Sequence, residues 1–354
     1  MKFYYPSFFE NLFLSVNATY EFIKKFVLSN NISKNIKEKN CKYAIKRRAT
    51  DGMYMKDYKA PSFKDVDLDG IKDTPVAPYI SDFFKTIKEN IPSSNLTNLY
   101  RNANSLKIRF YDFKNDDFLE SLRKCAFVRT GGRYHKDKNL IMVQPISMDL
   151  YIFHELLHMA SSYSDNDTYY SGFSQSPIKD KTRFSVGCKL NEGYTEVLNK
   201  RYFQYDNYVE SYQLECNYAR AVEGIIGKEK MEELYFTANL SGLLDELAKY
   251  TSIEEASMFI RNTDFISSVY ADESNTFKFF QSNFYFLIKA FINKKISENK
   301  SIFDYETKKE IIIFASKLCN RLIVEGITYE LDRKEILNNY VYSLLEEEKS
   351  EIKK

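Results

Sequence analysis

Residues 151–160 constrain the structure of this 354-residue chain more than any other stretch, and they read Tyr151-Ile152-Phe153-His154-Glu155-Leu156-Leu157-His158-Met159-Ala160. The pattern predicts a helix. Residues four apart on a helix are offset by about 40° around its axis, so both imidazoles can reach one metal ion. Glu155 lies on the same side. Because the chain has only 3 histidines, such a motif arises by chance in roughly two of a thousand similar chains. We therefore expect a metal site on this helix.

A zinc site of the catalytic kind needs a third protein ligand, because it binds three side chains and a water. The remaining histidine, His135, precedes the helix at the tip of a predicted hairpin. Glu192 and Glu196 are one turn apart on a second predicted helix. Glu192 can bind the metal while Glu196 accepts the outer N–H of a bound imidazole. Asp167, in the polar segment between the helices, is the rival third ligand.

Two motifs of the chain resemble those of the gluzincins, the thermolysin-like and aminopeptidase-like branch of zinc metallopeptidases: His154-Glu155-x-x-His158 and Asn191-Glu192-Gly193. The resemblance covers about residues 125–201 and depends on these two motifs. It implies that His154, His158 and Glu192 bind Zn²⁺. It also implies that Glu155 is the general base and that Glu196 supports a zinc-binding histidine.

The resemblance implies a zincin-like fold of the α+β class, with a small mixed sheet, an active-site helix and then a ligand helix. Residues 106–113 alternate like a strand, and residues 125–144 read as two strands joined by a turn. We expect a polar loop, rich in Ser and Tyr, between the two motif helices. After residue 205 the periodicity is helical, for example over residues 305–324 and 331–345. The expected architecture is thus a catalytic core followed by a mostly helical C-terminal region.

We predict three regions along the chain. Residues 1–94 form an N-terminal helical and basic segment with a connector, residues 95–205 form the zincin-like core, and residues 206–354 form a helical subdomain that completes the cleft. Residues 34–48 hold seven basic residues and one acid, which is typical of a solvated basic face or linker rather than an anion-binding patch.

An Asp-rich segment, residues 65–73, begins like a calcium loop because Asp65, Asp67 and Asp69 precede Gly70. Its twelfth position is Val76, where such loops have a bidentate Glu. We therefore favour an Asp-rich turn over a calcium site.

Composition narrows the class of protein. The chain is 44% apolar and 28% charged, with 11 Gly and 7 Pro, which excludes collagen-like, low-complexity and mostly disordered classes. A net charge of +2 gives no general attraction to nucleic acid or membrane. The 5 cysteines include no Cys-x-x-Cys pair, so we expect free thiols in a reducing compartment.

We predict a cytoplasmic protein. Polar residues interrupt the N-terminal apolar stretch before a signal-peptide core is complete, and no later apolar stretch is as long as a bilayer span. Export by a route without a signal peptide stays open.

The predicted function is a zinc-dependent metallopeptidase that acts on peptides or proteins, with no nucleic-acid partner. An extended peptide could pair with the strand near residues 127–134. The candidates for the group that stabilises the oxyanion are Tyr194, Tyr208, Tyr212, Tyr218 and His135. The alternatives are a zinc hydrolase that acts on another amide or ester, and a binding or regulatory protein with a structural zinc site.

Overall fold

A computed structural model describes residues 76–110, 132–143, 148–165, 167–178, 185–203, 211–266, 273–298, 305–318, 322–324 and 327–329. The basic segment 34–48 and the Asp-rich segment 65–73 lie outside these ranges, as does the predicted helix at residues 331–345. The predicted domain boundaries at residues 94/95 and 205/206 stay predictions.

Helices dominate the described part of the chain. They are α1 (Val76–Asn90), α2 (Thr97–Ala103), α3 (Met148–Ala160), α4 (Cys188–Phe203), α5 (Gln213–Ile226), α6 (Lys228–Phe236), α7 (Leu240–Ala248), α8 (Ile253–Ile266), α9 (Glu273–Ser297) and α10 (Tyr305–Leu318), with a short 3₁₀ helix at Ser93–Asn95. The strands are β1 (Lys107–Phe110), β2 (Gly132–His135), β3 (Leu140–Val143), β4 (Ser162–Ser164), β5 (Thr168–Ser171), β6 (Ser174–Pro177), β7 (Leu322–Val324) and β8 (Ile327–Tyr329).

The first sheet is small and mixed, as predicted. Its order is β1-β3-β2, with β1 parallel and β2 antiparallel to β3. Ile108, Ile141 and Val143 are buried between this sheet and the helices, and α3 packs against β2 and β3. Period-two alternation is what a sheet with one buried face requires, which is why the sequence identifies these strands. The α+β class is confirmed for the described residues.

A second sheet replaces the polar loop that we expected between α3 and α4. Strands β4, β5 and β6 form an antiparallel meander in that order. In β5, Thr168 and Tyr170 are buried and Tyr169 is partly exposed, whereas Ser171 at the end of the strand is buried as well. The alternation is therefore short and is made of Thr and Tyr rather than aliphatic residues. Both residue types favour strands. The expectation of a loop was wrong because it treated polarity as a loop signal.

Helix α10 ends at Leu318, short of the predicted end at residue 324. Leu322–Val324 instead pairs antiparallel with Ile327–Tyr329 as β7 and β8. These segments are rich in β-branched residues, whose restricted χ1 favours strands over helices. The rest of the described chain after residue 205 is helical, as predicted. None of the helices that the structure describes is both long and apolar enough to cross a bilayer.

The position of α4 is fixed from two sides. At its start, the Asp264 carboxylate of α8 accepts the backbone N–H groups of Gly187 (2.6 Å) and Lys189 (2.9 Å), which caps the helix from a distant part of the chain. One turn further on, Gly193 contacts the backbone of Glu215 on α5. A Cβ at Gly193 would lie 2.3 Å from the Glu215 carbonyl carbon and oxygen. The absence of a side chain therefore allows α4 and α5 to meet.

We predict that Gly193→Ala lowers the free energy of unfolding, measured in urea, by about 1–3 kcal/mol, because the added methyl overpacks this contact. The matched control is Gly224→Ala on α5, where a Cβ would meet only Phe314 at 3.6 Å. That change should raise stability by about 0.5–1 kcal/mol, the usual gain of Ala over Gly in a helix. Equal stability of the Gly193 variant and wild type would contradict the contact.

Candidate metal centre

Helices α3 and α4 bring two imidazoles and a carboxylate together. His154 Nε2 lies 3.0 Å from His158 Nε2 and 3.1 Å from Glu192 Oε2. His158 Nε2 lies 3.4 Å from the same Glu192 oxygen. Each residue offers one ligand atom, and these atoms all lie within 4.8 Å of one another. The three residues could hold a metal ion.

The spacing of these donor atoms suits zinc. Side chains that bind one tetrahedral zinc at about 2.0–2.1 Å have ligand atoms roughly 3.3–3.4 Å apart. The separations of 3.0, 3.1 and 3.4 Å are close to this value. Two imidazoles with one carboxylate is also a donor set that zinc commonly takes. The residues that are present therefore fit the predicted ion.

Glu196 supports His154 from behind. Its Oε2 lies 3.0 Å from His154 Nδ1, and its Oε1 accepts the backbone N–H of Ser211 at 3.0 Å. An ionised carboxylate can only accept, so Nδ1 carries the proton and Nε2 keeps its lone pair for the cluster. Burial alone would lower the pKa of His154, but the hydrogen bonds to Glu192 and Glu196 raise it to about 10. Without the ion, Nε2 is therefore protonated as well, and a metal ion that binds there displaces that proton.

The charge of Glu192 is stabilised in turn by the histidines. Desolvation alone would raise the pKa of Glu192, but the charges and hydrogen bonds of His158 and His154 hold it well below its usual range. The carboxylate is therefore ionised, which is the form that binds a metal.

The second ring nitrogen of His158 faces α4. His158 Nδ1 lies 3.5 Å from Thr195 Oγ1 and 3.3 Å from Asn191 Nδ2. The Thr195 hydroxyl donates to the Asn191 carbonyl at 2.8 Å and lies 2.7 Å from the Tyr235 hydroxyl. His158 Nδ1 can donate to a lone pair of this hydroxyl or accept from the Asn191 amide, and the first of these roles leaves Nε2 free for the cluster.

Glu155 lies beside the cluster without belonging to it. The carboxylate is buried, and its Oε2 accepts the backbone N–H of Tyr134 on β2 at 2.6 Å. A Cβ at Gly132 would lie 2.9 Å from Glu155 Cγ, so the glycine lets β2 approach α3. Burial raises the pKa of Glu155, although the charges of His154 and His158 oppose this. A raised carboxylate pKa suits a group that must take up a proton near neutral pH.

Neither rival ligand joins these residues. Asp167 is exposed at the turn between β4 and β5, where its backbone N–H bonds Asp165 Oδ1 at 3.0 Å. His135 is at the end of β2, in register with Leu140. Within the described residues, the metal-binding group contains only His154, His158 and Glu192.

Of the predicted oxyanion-stabilising tyrosines, the structure brings Tyr212 to the site. Its ring stacks on His154, with 6.1 Å between the centroids and 25° between the planes. The negative charge of Glu192, and then burial, raise the pKa of Tyr212, so its hydroxyl keeps its proton. Tyr194 instead donates to Glu223 at 2.8 Å, and Tyr218 packs against Phe259. Tyr208 lies outside the described residues.

Sequence reasoning missed three contacts of the site: the backbone N–H of Tyr134, the Thr195 hydroxyl and the Tyr235 hydroxyl. Thr195 follows Asn191 by one helical turn, and this spacing could have indicated it. Tyr134 and Tyr235 come from other elements, and no local pattern signals them.

Comparisons with protein-family models, with curated proteins and with solved structures find no match to this chain.

We predict one zinc per chain in the purified wild type, measured by elemental analysis after removal of loosely bound metal. Glu192→Ala should lose most of this zinc because it removes one of the three donors. Asp167→Ala is the matched control: it removes an acid of the rival segment and should keep the zinc. Zinc that survives in the Glu192 variant, or is lost from the Asp167 variant, would contradict the cluster as the binding site.

Proposed function

We propose that this protein is a zinc-dependent metallopeptidase of the gluzincin type. The proposal depends on one observation: two imidazole nitrogens and a carboxylate converge on one point, and Glu155, on the same helix as the imidazoles, lies beside that point. His154, His158 and Glu192 would hold the ion.

An open coordination position favours catalysis over a structural role. Structural zinc sites are closed by four protein ligands, whereas catalytic sites have three and keep one position for water or substrate. The cluster has three donors among the described residues. A structural site also has no need of a further buried carboxylate, because the burial of a charged group is costly.

The chemistry divides between the ion and the chain. Zinc, when bound, would act as a Lewis acid and lower the pKa of a water to about 7. Glu155 takes the proton of the attacking water and passes it to the leaving amine. The backbone N–H of Tyr134 orients one oxygen of Glu155 and leaves the other for this transfer. Tyr212 donates its hydroxyl proton in a hydrogen bond to the developing oxyanion.

A peptide substrate suits the position of β2. Among the described strands, β2 pairs only with β3, so its other edge is not covered by a described strand. The Tyr134 N–H on that edge points to Glu155. Because Glu155 already holds the Tyr134 N–H, an extended peptide would pair with the remaining backbone groups of this edge and pass beside the cluster, by the common mechanism of strand addition. A cytoplasmic location and the absence of a nucleic-acid partner remain part of the proposal.

We predict that Glu155→Gln keeps the zinc and slows cleavage of a peptide library by roughly 10²–10⁴-fold, the usual contribution of a general base. Glu89→Gln, an exposed acid on α1, is the control and should match wild type. Retained turnover in the Glu155 variant would contradict the assigned base. A zinc-loaded wild type that cleaves only non-peptide amides or esters would favour the other hydrolase, and one that cleaves nothing would favour a structural site.

We predict that Tyr212→Phe lowers kcat by roughly 10²–10³-fold, the effect of removing one oxyanion donor, with little change in KM. Tyr194→Phe removes a hydroxyl that bonds Glu223 away from the site, so it should lower stability by about 1 kcal/mol and leave kcat unchanged. Steady-state kinetics and urea unfolding of both variants measure these effects. A Tyr212 variant with wild-type kcat would exclude its hydroxyl from the reaction.

A further inference from the structure

A lysine of the hairpin that carries the Tyr134 N–H takes no part in the metal-binding group. Lys136 is the first residue of the turn between β2 and β3, two residues after Tyr134, whose N–H bonds Glu155. The Lys136 ammonium donates to Ser176 Oγ on β6 at 2.7 Å. Its Nζ lies 5.7 Å from the centre of the Tyr169 ring on β5. The side chain therefore reaches from the β2–β3 hairpin to the second sheet.

The same strand β6 leads to the ligand helix. Ser174 Oγ lies 3.2 Å from Cys188 Sγ, and Cys188 precedes Glu192 on α4 by one helical turn. Lys136 thus bonds the strand that leads to the start of the ligand helix, and in its own hairpin it follows the residue whose N–H holds Glu155.

The charge of Lys136 is only partly satisfied. An ammonium has three N–H donors, and one is used by Ser176. Within the described ranges, no carboxylate forms an ion pair with it. Burial lowers the pKa of Lys136, while the nearby Cys188 and Glu192 oppose that shift. A cation that is partly withdrawn from water without an anionic partner is costly, and an incoming carboxylate would offset this cost.

We propose that Lys136 binds a carboxylate of the substrate next to the scissile bond, so that the site selects acidic peptides. This inference rests on the proposed peptidase function. The carboxylate can be an Asp or Glu side chain or the C-terminal carboxylate, because both present the same two oxygens to the ammonium.

Hydroxamates that bind zinc directly test the inference without turnover. Two series are used, a peptidyl hydroxamate and a succinyl hydroxamate, which extend to opposite sides of the metal. Each series contains a Glu and a Gln member, and the succinyl series has free and amidated C-termini. Affinities for the zinc-loaded protein are measured by titration calorimetry. One acidic member should bind about tenfold or more tightly than its neutral partner, the size of one charge-assisted hydrogen bond.

The variant that tests the residue is Lys136→Met, which keeps the apolar stem and removes the charge. It should abolish the preference for the acidic member, with little change in the affinity for the neutral one. Lys138→Met is the matched control, because Lys138 is exposed on the same turn, and it should keep the preference. The source of the carboxylate is identified by which pair of compounds differs in affinity: the Glu and Gln members indicate a side chain, and the free and amidated members indicate the C-terminus.

Two results would overturn the inference alone: hydroxamates that bind equally well with and without the carboxylate, or a preference that survives Lys136→Met. In both cases, zinc-dependent binding of the hydroxamates would still support the proposed metal centre. Failure of every hydroxamate to bind the zinc-loaded protein would instead overturn the proposed function together with this inference.

Discussion

The centre of this protein depends on two helices that meet through charged side chains. His154 on α3 lies between Glu192 and Glu196 on α4, at 3.1 and 3.0 Å. A buried charge without a partner costs several kcal/mol. The position of α3 along α4 must therefore keep the histidine and the two carboxylates paired. The surrounding contacts agree with this requirement: Gly193 lets α5 approach α4, and Asp264 caps the start of α4. The apolar remainder of both helices packs into the core.

The cluster has a closed side and an accessible side. On the closed side, the Glu196 side chain is 2% exposed and the Thr195 and Tyr235 hydroxyls are buried. On the accessible side, the Glu192 side chain is 29% exposed. The charge of the same carboxylate raises the pKa of Tyr212 and opposes the lowering of the pKa of Lys136 by burial. The groups that fix the histidines are thus separated from the groups that a ligand can meet, which is the usual division between supporting and reacting groups in a metal site.

Local patterns were enough to predict the two motif helices and the first sheet. The spacing of His154 and His158, and that of Glu192 and Glu196, is determined by helix geometry, so both pairs could be identified from sequence alone. The second sheet could not, because its strands consist of Ser, Thr, Tyr, Gln and Pro and have no aliphatic face. Tyr212 was one of several equal candidates among 28 tyrosines, and only its stacking on His154 distinguishes it. Such contacts depend on tertiary packing, which no local pattern encodes.

The hydrogen bond from Tyr134 to Glu155 has a consequence for how this chain tolerates mutation. Its donor is a main-chain N–H, so it is independent of the side chain at position 134. A substitution at position 134 loses the hydroxyl bond to Asn139, but any amino acid with a backbone N–H still supplies the donor to Glu155. Proline alone lacks the donor. The orientation of Glu155 therefore depends on the conformation of the backbone at position 134 and not on which side chain is present there.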